Sequence, residues 1–221
     1  MPTMIVDDVN LTIPEWVTNL TAFRRWTDEP DFPEKGNIWW LRGKVWADMS
    51  KQQIFTHLDL KGEIYAVLQG IVKADDLGIL LPDGLLLTNL AAGISGNPDA
   101  VFISRDSLIA GMIELIEGKD GGFVEARGTP DMVLEVVSDN SVTKDRVILR
   151  EDYFQAGVTE YWLIDARKKP IEFDIFRRQS KEFVATSKQG GWLKSQVFRR
   201  SFRLREVKDR SEILRYELEV K

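Results

Sequence analysis

The chain has 221 residues, 43% of them apolar and seven of them tryptophan, which is enough for a sizeable buried core. It has no cysteine and one histidine, His57, which excludes disulfides, thiolate metal sites and His-rich zinc sites and leaves carboxylates, lysines and arginines as the plentiful catalytic groups. The net charge of −5 is uneven, because residues 167–210 hold fourteen Lys/Arg against five Asp/Glu, a stretch that reads equally as a solvated polar sheet face or a phosphate-facing patch.

The opening Met1–Asp8 lacks the basic start and apolar run of a secretory signal, and no apolar stretch reaches the ~18–20 residues of a membrane span. The expectation is a soluble, cytoplasmic protein with no membrane partner. A helical lead-in around Asn19–Trp26 ends at the turn Glu29–Pro33. A hairpin follows, Asn37–Leu41 and Lys44–Met49 about Arg42-Gly43. Ser50 is placed to cap a helix over Lys51–Leu68, with Ile54, Leu58, Tyr65 and Leu68 facing the core. A second hairpin is expected from Gly78–Leu81 and Leu85–Asn89 about Pro82-Asp83-Gly84.

Ala100–Ile103 reads as a strand opening at Pro98-Asp99, Met112–Glu117 is ambiguous, and Gly118–Gly122 is a turn. Met132–Val137 is the strongest strand of the chain. An amphipathic helix follows from Thr143 to Ala156, stopped by Gly157, and then a strand, Glu160–Ile164. That crossover implies a locally parallel pair in a mixed sheet. Ile171–Arg177 is the next strand, and Phe183–Thr186 with Gln196–Leu204 make a tail hairpin about Gly190-Gly191. The order predicts an α/β or α+β fold with a central mixed sheet flanked by helices and additional hairpins. Its parts are a lead-in over 1–36, a main domain over 37–177 and a basic β extension over 178–221.

Carboxylates at strand ends, where rigid backbone fixes them, are the natural holders of a hard cation. Asp99, Asp131 and Glu135 qualify. Asp131 and Glu135 share a face of one strand, but their Cα atoms stand roughly 13 Å apart at about 3.3 Å per residue, too far to chelate together. Asp99, starting another strand, pairs better with Glu135. Glu135 also interrupts an apolar run, where a charge is costly unless paired or metal-bound. The alternative for Glu135 is a salt bridge to a nearby Arg or Lys.

The run Pro130–Ser138, with its Glu-Val-x-Ser, the helix end Asp152–Val158 carrying Ala-Gly-Val, and Glu160–Asp165 carrying Tyr-Trp-x-x-Asp, resembles the Uma-type restriction endonuclease family of the PD-(D/E)xK superfamily. The likeness extends back through Pro98–Phe102, more weakly to Gly43–Ser50 and Thr56-His57, and spans roughly Asn37–Arg177. The resemblance implies a restriction endonuclease-like fold and a Mg²⁺- or Mn²⁺-dependent endonuclease whose partner is DNA, with a homodimer as a compatible assembly. It makes Asp99 and Glu135 the metal-binding acids and the main-chain carbonyl of Val136 a further ligand. The usual lysine positions of superfamily and family fall on Val137 and Leu149, neither usable. Lys144, in the first turn of the following helix, is the nearest substitute and Arg150 the next. If neither reaches the site, the resemblance implies a catalytically degenerate nucleic-acid-binding or regulatory module instead.

His57 and Lys61 share a helix face and, with Glu63, could approach the site, although for Glu63 a solvated face is the better reading. Asp165 is read as capping a turn with Arg167. Tyr153 and Trp162 are read as core.

Overall fold

The computed structural model describes residues 3–6, 9–33, 36–49, 51–119 and 121–221. Strands β1 (Thr3–Val6) and β2 (Val9–Thr12) pair ahead of helix α1 (Leu20–Thr27), whose Asn19 side chain caps the Ala22 N–H. β3 (Asn37–Leu41) turns back into β4 (Lys44–Asp48). A wide π-helical turn, Ile54–Asp59, opens helix α2 (Leu60–Ala74). β5 (Gly78–Pro82), β6 (Leu86–Asn89), β7 (Ile94–Gly96) and β8 (Ala100–Ser104) follow, then α3 (Arg105–Ile109). The antiparallel pair β9 (Ile113–Glu117) and β10 (Phe123–Gly128) precedes β11 (Met132–Val136). A second π-helical turn, Lys144–Ile148, opens α4 (Leu149–Gln155), which Gly157 ends at φ +88°. The remaining strands are β12 (Glu160–Asp165), β13 (Glu172–Arg178), β14 (Phe183–Ala185), β15 (Leu193–Lys194), β16 (Ser201–Lys208) and β17 (Leu214–Val220).

The central sheet runs β14-β13-β12-β11-β8-β5, with β11 and β12 parallel as the crossover requires and β8 antiparallel to β11. A second six-stranded sheet, β4-β3-β7-β6-β10-β9, packs against one face of it, and β15-β16-β17 form a smaller third sheet. Alternation along β11 and β12 sends side chains to both faces. Met132, Leu134, Val136, Trp162 and Ile164 meet α2 and the third sheet, while Val133, Val137, Tyr161 and Leu163 meet α4 and the second sheet. Glu135 belongs to the latter face.

Several expectations change. β5 and β6 do not pair: the Pro82–Gly84 turn is a corner that carries the chain from the central sheet to the second one, where β6 joins β7 and β10. The tail also differs, since β14 completes the central sheet beside β13 and β16 pairs with β15 and β17. Turn residues identify a reversal; they do not say which neighbour each strand takes. Leu68 is buried and Tyr65 packs against the core as expected, but Ile54 and Leu58 are 67% and 49% exposed, because the wide turn carries an extra residue and the apolar stripe begins instead at Leu60 and runs through Ile64, Leu68 and Val72. The cap assigned to Ser50 lies outside the described residues. Met112–Glu117 resolves into β9. Much of the basic excess near the C-terminus is paired, Arg203 and Arg205 with Glu219, Lys188 with Asp174 and Arg200 with Asp75, as on a polar sheet surface. Among the described residues no helix is long and apolar enough to cross a membrane.

Asp165, at the end of β12, accepts from Arg146 (2.7 Å), from the Arg167 guanidinium (2.9 and 3.0 Å) and from the Arg167 N–H. Burial acts to raise its carboxyl, but the hydrogen bonds from Arg167 and Arg146 outweigh it and hold the pKa at about 2. A depressed acid stabilises the fold above its unfolded value and loses that contribution as pH falls through its folded one. Asp165→Asn is expected to lower stability at pH 7 by about 2 kcal/mol. In urea titrations across pH, the gap to wild type should close between about pH 4 and pH 2; a pH-independent gap would assign the effect to packing.

Candidate active site

The antiparallel register sets Leu134 opposite Ala100, which brings Asp99, the residue before β8, level with the end of β11. There Asp99 leaves its own strand and grips the next. Its Oδ2 accepts the Val136 N–H at 2.6 Å, and its Oδ1 accepts the Lys61 ammonium at 3.1 Å. Lys61 also donates to Asp83 (2.7 Å) in the corner turn and to Gln52 (3.0 Å). The attraction of Asp99 and Asp83 overcomes burial, which would lower the Lys61 pKa, and raises it.

Glu135 is 2% exposed. Its Oε1 accepts the Tyr153 hydroxyl at 2.7 Å, and its Oε2 lies 4.0 Å from the Lys144 ammonium. Burial pushes the Glu135 carboxyl well above the ordinary carboxylate range, and Lys144 pulls it only partway back. Lys144 sits 2.9 Å from Asp145 and 4.8 Å from the centre of the Trp39 ring. Burial would discharge this ammonium, but Glu135 and Asp145 more than offset it and raise its pKa. Asp145, raised by burial despite Lys144, also accepts the Ser141 hydroxyl. The Tyr161 hydroxyl donates to the Asp145 carbonyl at 2.8 Å, fixing this turn to β12.

Thus Asp99, Glu135, Val136 and Lys144 stand together, at the floor of a cleft of about 740 Å³. Arg150 does not: it donates to the Phe183 carbonyl and covers the Phe176 ring. Asp131 faces the other end of β11, holding the Ser104 N–H and the Ser107 hydroxyl. Glu63 accepts the Leu218 N–H on the third sheet. Trp162 and Tyr153 are fully buried, and the Tyr153 hydroxyl reaches into the site as well. That contact had a readable signal, because a tyrosine on a buried helix face needs a partner and Glu135 is the polar residue on the facing strand. Lys61, expected to approach the site from the helix face it shares with His57, does so by holding Asp99, whereas the tether of Asp145 had no such signal.

Among the described residues, no three Asp, Glu, His or Cys side chains form a ready metal nest. The candidate donors are the carboxylates of Asp99 and Glu135 and the carbonyl of Val136. An all-oxygen set of this size suits Mg²⁺ or Mn²⁺, which keep several waters and need few protein ligands. Among the described residues, the cleft is lined by Asp48, Asp83, Asp99, Glu135, Asp139 and Asp145 against Lys51, Lys144 and Arg167, with Lys61 reaching Asp83 and Asp99 from α2, so acids outnumber bases around the candidate donors.

The two-sided central sheet, its parallel crossover and acids at adjacent strand ends define a restriction endonuclease-like fold. The chain belongs to the Uma2 family, described as "Putative restriction endonuclease", whose model matches residues 20–206. It is also similar to the crystal structure of "a putative nuclease belonging to DUF820 from Anabaena variabilis ATCC 29413". The TM-score there is 0.59 at 17% identity, over 82% of this chain and 90% of that one. No curated protein matches the chain.

A buried carboxylate with one hydrogen bond and an ammonium at 4.0 Å is under-compensated. Glu135→Gln keeps an acceptor for Tyr153 and removes the charge. In chelator-treated protein it should raise the urea midpoint, by about 1 kcal/mol in stability. A lower midpoint would show that the charge is needed for folding.

Proposed function

We propose that this chain is a Mg²⁺- or Mn²⁺-dependent endonuclease that hydrolyses phosphodiester bonds in DNA. The observation carrying this reading is the meeting of two buried acids, Asp99 and Glu135, around Val136 on one cleft floor, with a lysine beside them. Asp99, Glu135 and the Val136 carbonyl would hold the cation. Bound there, it would supply the positive charge that polarises a phosphate and makes a water acidic.

The chain's own groups then have distinct tasks. Tyr153, donating to Glu135 Oε1, leaves Oε2 directed toward Lys144 and the cleft. Lys144 is kept charged by its two carboxylates, so it can donate to a water or to a phosphate oxygen. Trp39 and Asp145 hold that ammonium from two sides.

A supercoiled plasmid incubated with the protein tests the reading. Nicking should require Mg²⁺ or Mn²⁺, stop with chelator, and fall at least about 100-fold in Asp99→Asn, Glu135→Gln and Lys144→Ala. Cleavage that survives chelation, or persists in both acid variants, would overturn it. DNA binding without cleavage would instead support a silent module, a reading favoured by Lys144 lying closer to Asp145 than to Glu135.

A further inference from the structure

We propose that His57 is a positioning residue that aims the Val136 carbonyl into the cleft and thereby sets the affinity of the site for its cation. The inference rests on the cation site proposed above.

Val136 ends β11, and both of its main-chain polar groups are taken by side chains. Its N–H goes to Asp99 at 2.6 Å, and its C=O lies 2.9 Å from His57 Nε2. A carbonyl can only accept, so Nε2 carries the hydrogen, and the oxygen keeps a second lone pair for a ligand in the cleft. The peptide plane at the strand end is therefore oriented by an imidazole as well as by the sheet. His57 is 5% exposed, and its other ring nitrogen lies 3.3 Å from the Gln52 side chain. Two neighbours in the same turn, Ile54 and Leu58, face solvent. The wide turn thus exposes apolar groups and brings a polar ring inside, an arrangement that apolar burial does not favour. One helical step later, Lys61 holds Asp99. The head of α2 accordingly governs two of the three proposed ligand groups. Partners of this kind, which orient a ligand without touching the ion, typically contribute 10–100-fold to metal affinity.

Mn²⁺ titration of the full chain, followed by the loss of the free-ion paramagnetic resonance signal, reads this without any substrate. His57→Phe keeps a ring and loses the donor; His57→Gln can present an amide N–H to the carbonyl. His57→Phe should weaken Mn²⁺ binding by about 10–100-fold. His57→Gln should recover most of the loss, and both variants should give cooperative urea unfolding without metal. Equal affinity of wild type and His57→Phe overturns the positioning role while leaving the site intact. So does equal weakening in the two variants, because the donor would then not be what matters. Absence of Mn²⁺ binding in wild type, or binding indifferent to Glu135→Gln, overturns the cation site itself. Should His57→Phe fail to fold, His57→Asn, too short to reach the carbonyl, takes its place against His57→Gln with the same expected difference.

Discussion

A carboxylate inside a protein must be compensated, and the architecture around Glu135 follows from that requirement. The acid lies on the face of β11 that packs against α4 and the second sheet, among Val133, Val137 and Tyr153. One hydroxyl and one ammonium answer it directly. Both come from the segment that connects β11 to β12: Tyr153 from α4, Lys144 from the turn that opens it. The crossover needed to place two parallel strands side by side thus also delivers the partners of the charge at the end of the first.

The second acid is answered from the opposite direction. Asp99 draws on α2 through Lys61, and Lys61 reaches Asp83 in the corner where the chain leaves the central sheet for the second. The cleft is therefore roofed by one helical turn, floored by two strand ends and closed by a corner between sheets. Few of these groups could shift independently. Packing on both faces of the central sheet, with Trp162 fully buried on one side and Tyr161 on the other, makes that floor rigid.

Much of this was legible in the residues. The apolar run with one acid and Pro98-Asp99 ahead of a strand were sufficient to single out Asp99 and Glu135 as acids at strand ends, while the adjacency of their strands followed only from the family resemblance. What could not be read was partner choice. Pro82-Asp83-Gly84 looks like a hairpin turn and is a corner, and Phe183–Ala185 bonds to β13 rather than to a later strand. Strand pairing is settled by three-dimensional burial, which a local pattern does not contain. The opening turn of the first long helix was misread for a different reason, although Tyr65 and Leu68 meet the core as expected. Period-3.6 arithmetic has no place for a residue that the helix accommodates by widening. His57 was consequently placed on a helix face with Lys61 but not against Val136.

That surplus residue has a consequence for how the protein could change. A regular α-turn in its place would rotate everything upstream by about 100°, swinging the imidazole outward and an aliphatic side chain inward. The Val136 carbonyl would then lose its imidazole partner, and Asp99 and the sheet alone would hold the strand end. The exposed rim of Ile54, Phe55 and Leu58 and the buried ring of His57 are thus two results of one widened turn.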